Sequence, residues 1–158
     1  MRLVSIQRLL RRGAITNLAK MLARMHPADI ANVIDHLSSQ KEKREIFELV
    51  RGDVKRGQVL SELDGESITL VLSDLLPSDA AWLLKDLGSD DIAHILSVIP
   101  NDRAKEILAL MRTEDSTEIA DLLKYPKGTA GGIMTTEFFA LSEDATAQEA
   151  IRRLQQAT

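Results

Sequence analysis

The chain has 158 residues, 44 % of them hydrophobic, enough for one domain with a core, or one domain and part of another, and too apolar for a disordered chain. Aromatic residues make up only 3 %, so the interior must be Leu, Ile, Val, Ala and Met, as in helical packings rather than sandwiches or barrels. With no cysteine there is neither a disulfide framework nor a thiolate metal site; the net charge is −4, no secretory signal is visible, and apolar runs of about five residues fall far short of the roughly twenty that cross a bilayer.

In chain order, Leu3, Ile6, Leu9 and Leu10 share one face of a first helix over 3–12, with Gly13 as its stop. Residues 1–28 carry six bases (Arg2, Arg8, Arg11, Arg12, Lys20, Arg24) and no acid, which leaves −10 on the other 130 residues. A solvated helix face is the simplest reading of that basic start, and docking on anionic lipid or an acidic protein is the alternative. No nucleic acid partner is expected, since the rest of the chain would repel it and no aromatic platform accompanies the bases.

Ile15, Leu18, Ala19, Leu22 and Met25 predict a second helix that ends before His26-Pro27, because the residue before proline is pushed out of the helical region. Pro27 suits the first position of a third helix reaching Leu37, with Ile30, Val33, Ile34 and Leu37 inward. Ser38-Ser39 caps a fourth through Arg51, whose core side is Ile46, Phe47, Leu49 and Val50. After Gly52-Asp53, a fifth helix carries Val54, Val59, Leu60 and Leu63 and is weakened by Gly57.

Residues 61–102 organise the chain. They hold three short helical segments, Ile68–Leu72, Ala80–Leu84 after Pro77, and Ile92–Leu96 after Ser89-Asp90-Asp91, each apolar on one side only. They also carry nine acids (Glu62, Asp64, Glu66, Asp74, Asp79, Asp86, Asp90, Asp91, Asp102) against one base, Lys85, a local charge of −8. The expected result is an apolar stripe inward and a dense anionic surface outward. Pro100-Asn101-Asp102 then starts a ninth helix (Ala104, Ile107, Leu108, Met111 inward), and Asp115-Ser116 a tenth (Ile119, Leu122, Leu123 inward) closed by Tyr125-Pro126.

These segments repeat. Pro27-Ala28-Asp29-Ile30-Ala31, Pro77-Ser78-Asp79-Ala80-Ala81 and Ser89-Asp90-Asp91-Ile92-Ala93 share a breaker or cap, an acid in the first turn and a small residue two places on, and Glu118-Ile119-Ala120 is a weaker echo. Short helices paired at about 25 residues imply a solenoid stacked in one dimension, with an irregular bundle as the competing architecture. The expected fold class is therefore all-α: a right-handed superhelix of about ten short helices over 1–126.

After Pro126 the pattern changes. Gly128, Gly131 and Gly132 fall close together, and Phe138-Phe139-Ala140-Leu141 suits a strand. Thr146 and Glu149 form a capping box for a last helix with Ala150, Ile151 and Leu154 inward. A lone strand and helix predict a short β-α fragment of a second domain, over 127–158, cut off at Thr158.

No motif points to an enzyme. The glycines precede a strand without the Gly-Lys-Ser/Thr of a phosphate loop and read as an interdomain hinge; His26, His36 and His94 lack zinc-protease spacing, and no serine sits in a nucleophile elbow. The acids are the candidate site. Asp90 and His94 are four apart on one helix, so they converge on one face beside Asp91. A helix N-terminus favours such acids in any case; crowded carboxylates also suit a divalent cation, with Asp90, Asp91 and His94 as ligands, although one short face supplies too few donors without a second domain or water.

The run Tyr125-Pro126-Lys127-Gly128-Thr129-Ala130-Gly131-Gly132-Ile133-Met134-Thr135-Thr136-Glu137 closely resembles the junction in MgtE-type magnesium transporters between the N-terminal cytosolic domain and the first CBS motif, and the repeats from His26 to Ala93 are similar to that N-terminal domain. The resemblance implies a superhelix at 1–126, the linker and first strand and helix of a CBS domain at 127–158, and a regulatory role without a pore. It implies Mg2+ shared between acidic faces of this domain and the CBS domain to favour a closed pore, the transporter's own CBS and transmembrane domains as partners, and a homodimer made elsewhere. It also implies a location at the cytoplasmic side of the membrane. Asp90 falls where the family has an interface carboxylate, but His94 and Gln58 stand at the two further acidic positions, and imidazole is a poor magnesium ligand. The other function considered is a helical-repeat scaffold resembling flagellar motor switch middle domains, an analogy of fold alone.

Overall fold

Prolines, positive-φ glycines and capping side chains decide where the helices start, and the apolar stripes decide where they go. In the computed structural model, which describes residues 2–126, 128–136 and 138–156, these signals give ten short helices in succession. They are α1 (Arg2–Arg11), α2 (Ile15–Ala23), α3 (Pro27–Asp35), α4 (Gln40–Leu49), α5 (Asp53–Ser61), α6 (Gly65–Asp74), α7 (Pro77–Leu84), α8 (Ser89–Val98), α9 (Asn101–Leu108) and α10 (Thr113–Leu122). A single 3-10 turn, Gly131–Ile133, and α11 (Ala147–Gln156) follow. The junction residues Lys127 and Glu137, and Thr158, lie outside the described residues.

Local chemistry sets the boundaries. Pro27 and Pro77 occupy the first turns of α3 and α7. Asp64 accepts from Ser67 N–H at 2.7 Å and Ser39 from Glu42 N–H at 3.4 Å, satisfying donors that a helix start leaves open. Gly13 and Gly52 turn the chain at φ +64° and +88°, a region other residues avoid. The helices are slightly shorter than periodicity predicts. Leu37 and Val50 are buried, yet α3 and α4 end before them, so a core residue need not be a helical one.

Packing follows the repeat. α2, α4, α6, α8 and α10 each touch the next of their series, α3, α5, α7 and α9 do the same, and α3 with α4, α5 with α8 and α8 with α9 tie the rows together. This is the superhelical stack expected of the repeat. Its interior is aliphatic, with Ile30, Ile34, Ile46, Leu60, Ile68, Leu72, Leu84 and Ile95 fully buried along its length. Cations close helix ends between rows: Lys55 Nζ on α5 donates to the carbonyls of Leu22, Ala23 and Met25 at 3.0, 3.0 and 2.7 Å, and Arg103 on α9 donates to those of Leu72 and Leu75.

Four points of the chain depart from expectation. Gly57 does not merely weaken α5: it is where α5 meets α7, and a Cβ there would stand 2.8 Å from the Leu83 carbonyl oxygen. Ile15 and Val54, counted among the apolar residues of the second and fifth helices, are exposed in the first turns of those helices. The strand at Phe138–Leu141 does not form among the described residues, and Ile151 and Leu154 of α11 are exposed rather than inward. A strand needs an edge to receive its N–H and C=O groups, and none of the helices presents one. α11 itself forms as expected, with Glu149 N–H donating to the Thr146 hydroxyl at 3.3 Å.

Candidate functional site

The acidic candidates sit in the first turns of α8. Ser89 follows an extended Gly88, so Asp90 and Asp91 fall in the first turn, where the helix dipole favours negative charge, and His94 lies one turn on. Ile92, Ile95 and Leu96 anchor the opposite face in the core, leaving Asp90 half-buried and Asp91 and His94 exposed.

Those three side chains open onto one cleft of about 350 Å3. It is lined by Asp90, Asp91, His94 and Ser97 of α8, by Leu122 at the end of α10 with Leu123 and Tyr125 beyond it, and by the junction residues Gly128 and Gly131–Met134. The segment after Pro126 thus folds back against α8. Met134 packs on the aliphatic core, and the Thr136 hydroxyl donates to Glu118 of α10. The Tyr125 ring lies against Gly131, where a Cβ would come within 2.3 Å of it. Gly128 turns at φ +77°. The glycines read as a hinge therefore have a second function, since Gly131 permits a close contact that docks the junction.

Gln58, the other position singled out by resemblance, is exposed on α5 and does not line the cleft. Among the described residues, no three His, Asp or Glu side chains are grouped so as to hold a metal ion. Two carboxylates and an imidazole on one helix face give a cation one wall of a site, and a hard ion such as Mg2+ needs further oxygen donors around it. Sequence reasoning missed Tyr125 and Met134. Their signal was an aromatic and a thioether flanking a glycine cluster, readable as packing residues only once the junction is seen to return.

The wider acidic surface is present but partly compensated. Asp74 pairs with Arg44, and Trp82 Nε1–H donates to Asp53 at 3.2 Å while Lys85 lies over the same ring at 3.2 Å. Burial works against ionisation of Asp64, but the bonds from the Ser67 N–H and hydroxyl and the charge of Lys43 outweigh it and hold the carboxyl below its ordinary range. Lys43 itself is buried, its Nζ donating to the Ser67 hydroxyl at 2.9 Å.

A stack of short helix pairs with an acidic turn and the junction lining one cleft defines a helical-repeat domain. The chain belongs to the family of the MgtE intracellular N domain, whose family model matches residues 25–128. That family is one of transporter domains rather than enzymes. A solved structure of the cytosolic domain of the Mg2+ channel MgtE in complex with ATP is 28 % identical to this chain, with a TM-score of 0.78, over 98 % of this chain and 63 % of that one. The soluble part of a magnesium transporter is 21 % identical, with a TM-score of 0.70, over 98 % of this chain and 60 % of that one, a likeness that speaks for the fold alone. The chain thus spans about three-fifths of the length of both. No functionally curated protein matches it. Among the described residues no helix is long and apolar enough to cross a membrane.

Proposed function

We propose that this chain is the cytosolic magnesium-sensing part of an MgtE-type magnesium transporter, with 1–126 as its N domain and 127–158 as the linker and first elements of a CBS domain. The observation that carries this reading is the shared cleft: Asp90, Asp91 and His94 stand across from Gly128 and Gly131–Met134, so the acidic turn and the approach to the next domain form one site.

Asp90 and Asp91 repel any further carboxylates brought to that cleft, and at effective dielectrics near a protein surface two such charges 4 Å apart interact by about 4 kcal/mol. A divalent cation supplies the positive charge that cancels this repulsion. Asp90, half-buried and preset by the α8 backbone, offers oxygen donors at little ordering cost, while His94 offers a nitrogen donor and shifts preference away from magnesium toward borderline metals. Donors from the following domain complete the set. The acidic face and that domain then hold together when the ion is bound and separate when it leaves, which links ion concentration to the transporter's own membrane domain.

The test is small-angle scattering of a protein extended through both CBS motifs. Millimolar Mg2+ is expected to reduce the radius of gyration, and Asp90→Asn to abolish the reduction. An unchanged curve overturns the sensing role and favours a scaffold without ion function.

A further inference from the structure

The outer face of α1 stands apart from every other charged surface of the molecule. Ile6 and Leu10 are buried and Leu3 and Leu9 half-buried, which turns Val4, Arg8 and Arg11 outward at helical spacing. With Gln7 and Arg12 they line a shallow groove of about 390 Å3, and Val4 is 65 % exposed within it. Several of the other arginines are engaged: Arg44, Arg103, Arg112 and Arg152 pair with Asp74, Glu106, Glu114 and Glu149, and Arg56 lies over Phe47. Among the described residues Arg8, Arg11 and Arg12 have no acidic partner, and no acid occurs before Asp29.

The negative end of the α1 dipole accounts for bases in its last turn. It does not account for a valine held in water among the arginines, or for the want of acids over a whole helix pair. Cations flanking an exposed aliphatic side chain match a surface that is anionic outside and hydrocarbon beneath. An acidic protein would satisfy the arginines but would leave the valine without an apolar partner, and nucleic acid would find no aromatic side chain on α1 on which to stack a base. α1 packs on α2 at the start of the stack, whereas the acidic residues gather on α6–α8, so the helical rows hold the two charges apart.

We propose that the Val4, Arg8, Arg11, Arg12 face of α1 docks on the anionic phospholipid headgroups of a membrane. This rests on the reading that the chain works beside a membrane as part of a transporter. Each basic group near an anionic surface raises partitioning about fivefold, so three give about 100-fold. Such contact would hold the start of the stack against the bilayer and leave the α8 cleft free to meet the next domain.

The test is vesicle flotation of the 158-residue chain at about 0.1 M salt, with phosphatidylcholine alone or mixed equally with phosphatidylglycerol. About 100-fold stronger binding to the anionic vesicles is expected, lost to near the neutral level in Arg8→Gln/Arg11→Gln/Arg12→Gln and reduced a few-fold in Val4→Ser. The matching triple lysine variant retains binding, which separates charge from folding. Added inorganic phosphate at equal ionic strength leaves it unchanged. Equal binding to neutral vesicles, retention by the triple glutamine variant, or loss instead in Arg152→Gln/Arg153→Gln on α11 overturns the proposal. So does a salt-sensitive dimer in ultracentrifugation that the triple glutamine variant abolishes without any vesicle binding. Absence of Mg2+ compaction in scattering leaves this result standing, and absence of flotation leaves the sensing role standing.

Discussion

α10 and α11 are both ten residues long, both amphipathic and both carry acids in the first turn, yet they end with opposite burial. Ile119 of α10 is fully buried against α8, while Ile151 of α11 is 58 % exposed. α11 even has the better local signals, since Thr146 caps it and no side chain caps α10. Propensity and capping therefore decide that a helix forms, and a neighbour decides whether its stripe is covered. Helices of this length are marginal alone, so the stack gains its stability by repetition: each apolar stripe finds the next helix of its row.

The largest effect should come from comparing apolar truncations across that divide. Leu60→Ala, in a fully buried site of α5, is expected to cost about 2–5 kcal/mol in urea unfolding, and Ile151→Ala to stay within about 0.5 kcal/mol. Equal losses would remove the contrast. Next, Gly57→Ala should destabilise by about 1–3 kcal/mol although alanine is the better helix former by about 1 kcal/mol, because the added methyl meets the Leu83 backbone. Stabilisation would show that the rows can spread at no cost.

A comparable loss of about 1–3 kcal/mol is expected for Ser67→Ala, which takes from the buried Lys43 ammonium its hydroxyl partner, with Lys43→Met in the same background recovering much of it. The neighbouring Asp64 sets a pH signature. Its carboxyl is held below the ordinary 3.8, so its contribution is present above that pH and is lost as pH falls through the lower folded value. Asp64→Asn should therefore lower Tm near neutrality and flatten its fall in acid; a parallel acid profile would count against the Ser67 and Lys43 partnership. The smallest effect on global stability belongs to Gly131→Ala. Displacing Tyr125 should leave unfolding within about 0.5 kcal/mol but speed amide exchange over 131–136, since only the docked junction loosens. Unchanged exchange would mean that the junction is held by Met134 and Thr136 alone.

Much of the candidate site was legible as composition but not as a place. Asp90, Asp91 and His94 share a helix face by their spacing alone. That they look across a cleft at Gly128 and Met134 depends on the chain reversing after α10, which no local pattern encodes. Gln58 shows the opposite case, a position suggested by resemblance that the cleft does not include.

The amino-acid sequence by itself determined the number of helices, most of their starting points, the aliphatic interior and the placing of charge, because prolines, positive-φ glycines, caps and 3.6-residue periodicity act within a few residues. Only the tertiary structure decided that Gly57 and Gly131 are close-approach points, that Val54 and Ile151 stay in water, that the 138–141 segment forms no strand, and that the junction closes over the α8 turn. Each of those outcomes depends on what another part of the chain brings within contact distance, and that information lies in no single stretch of sequence.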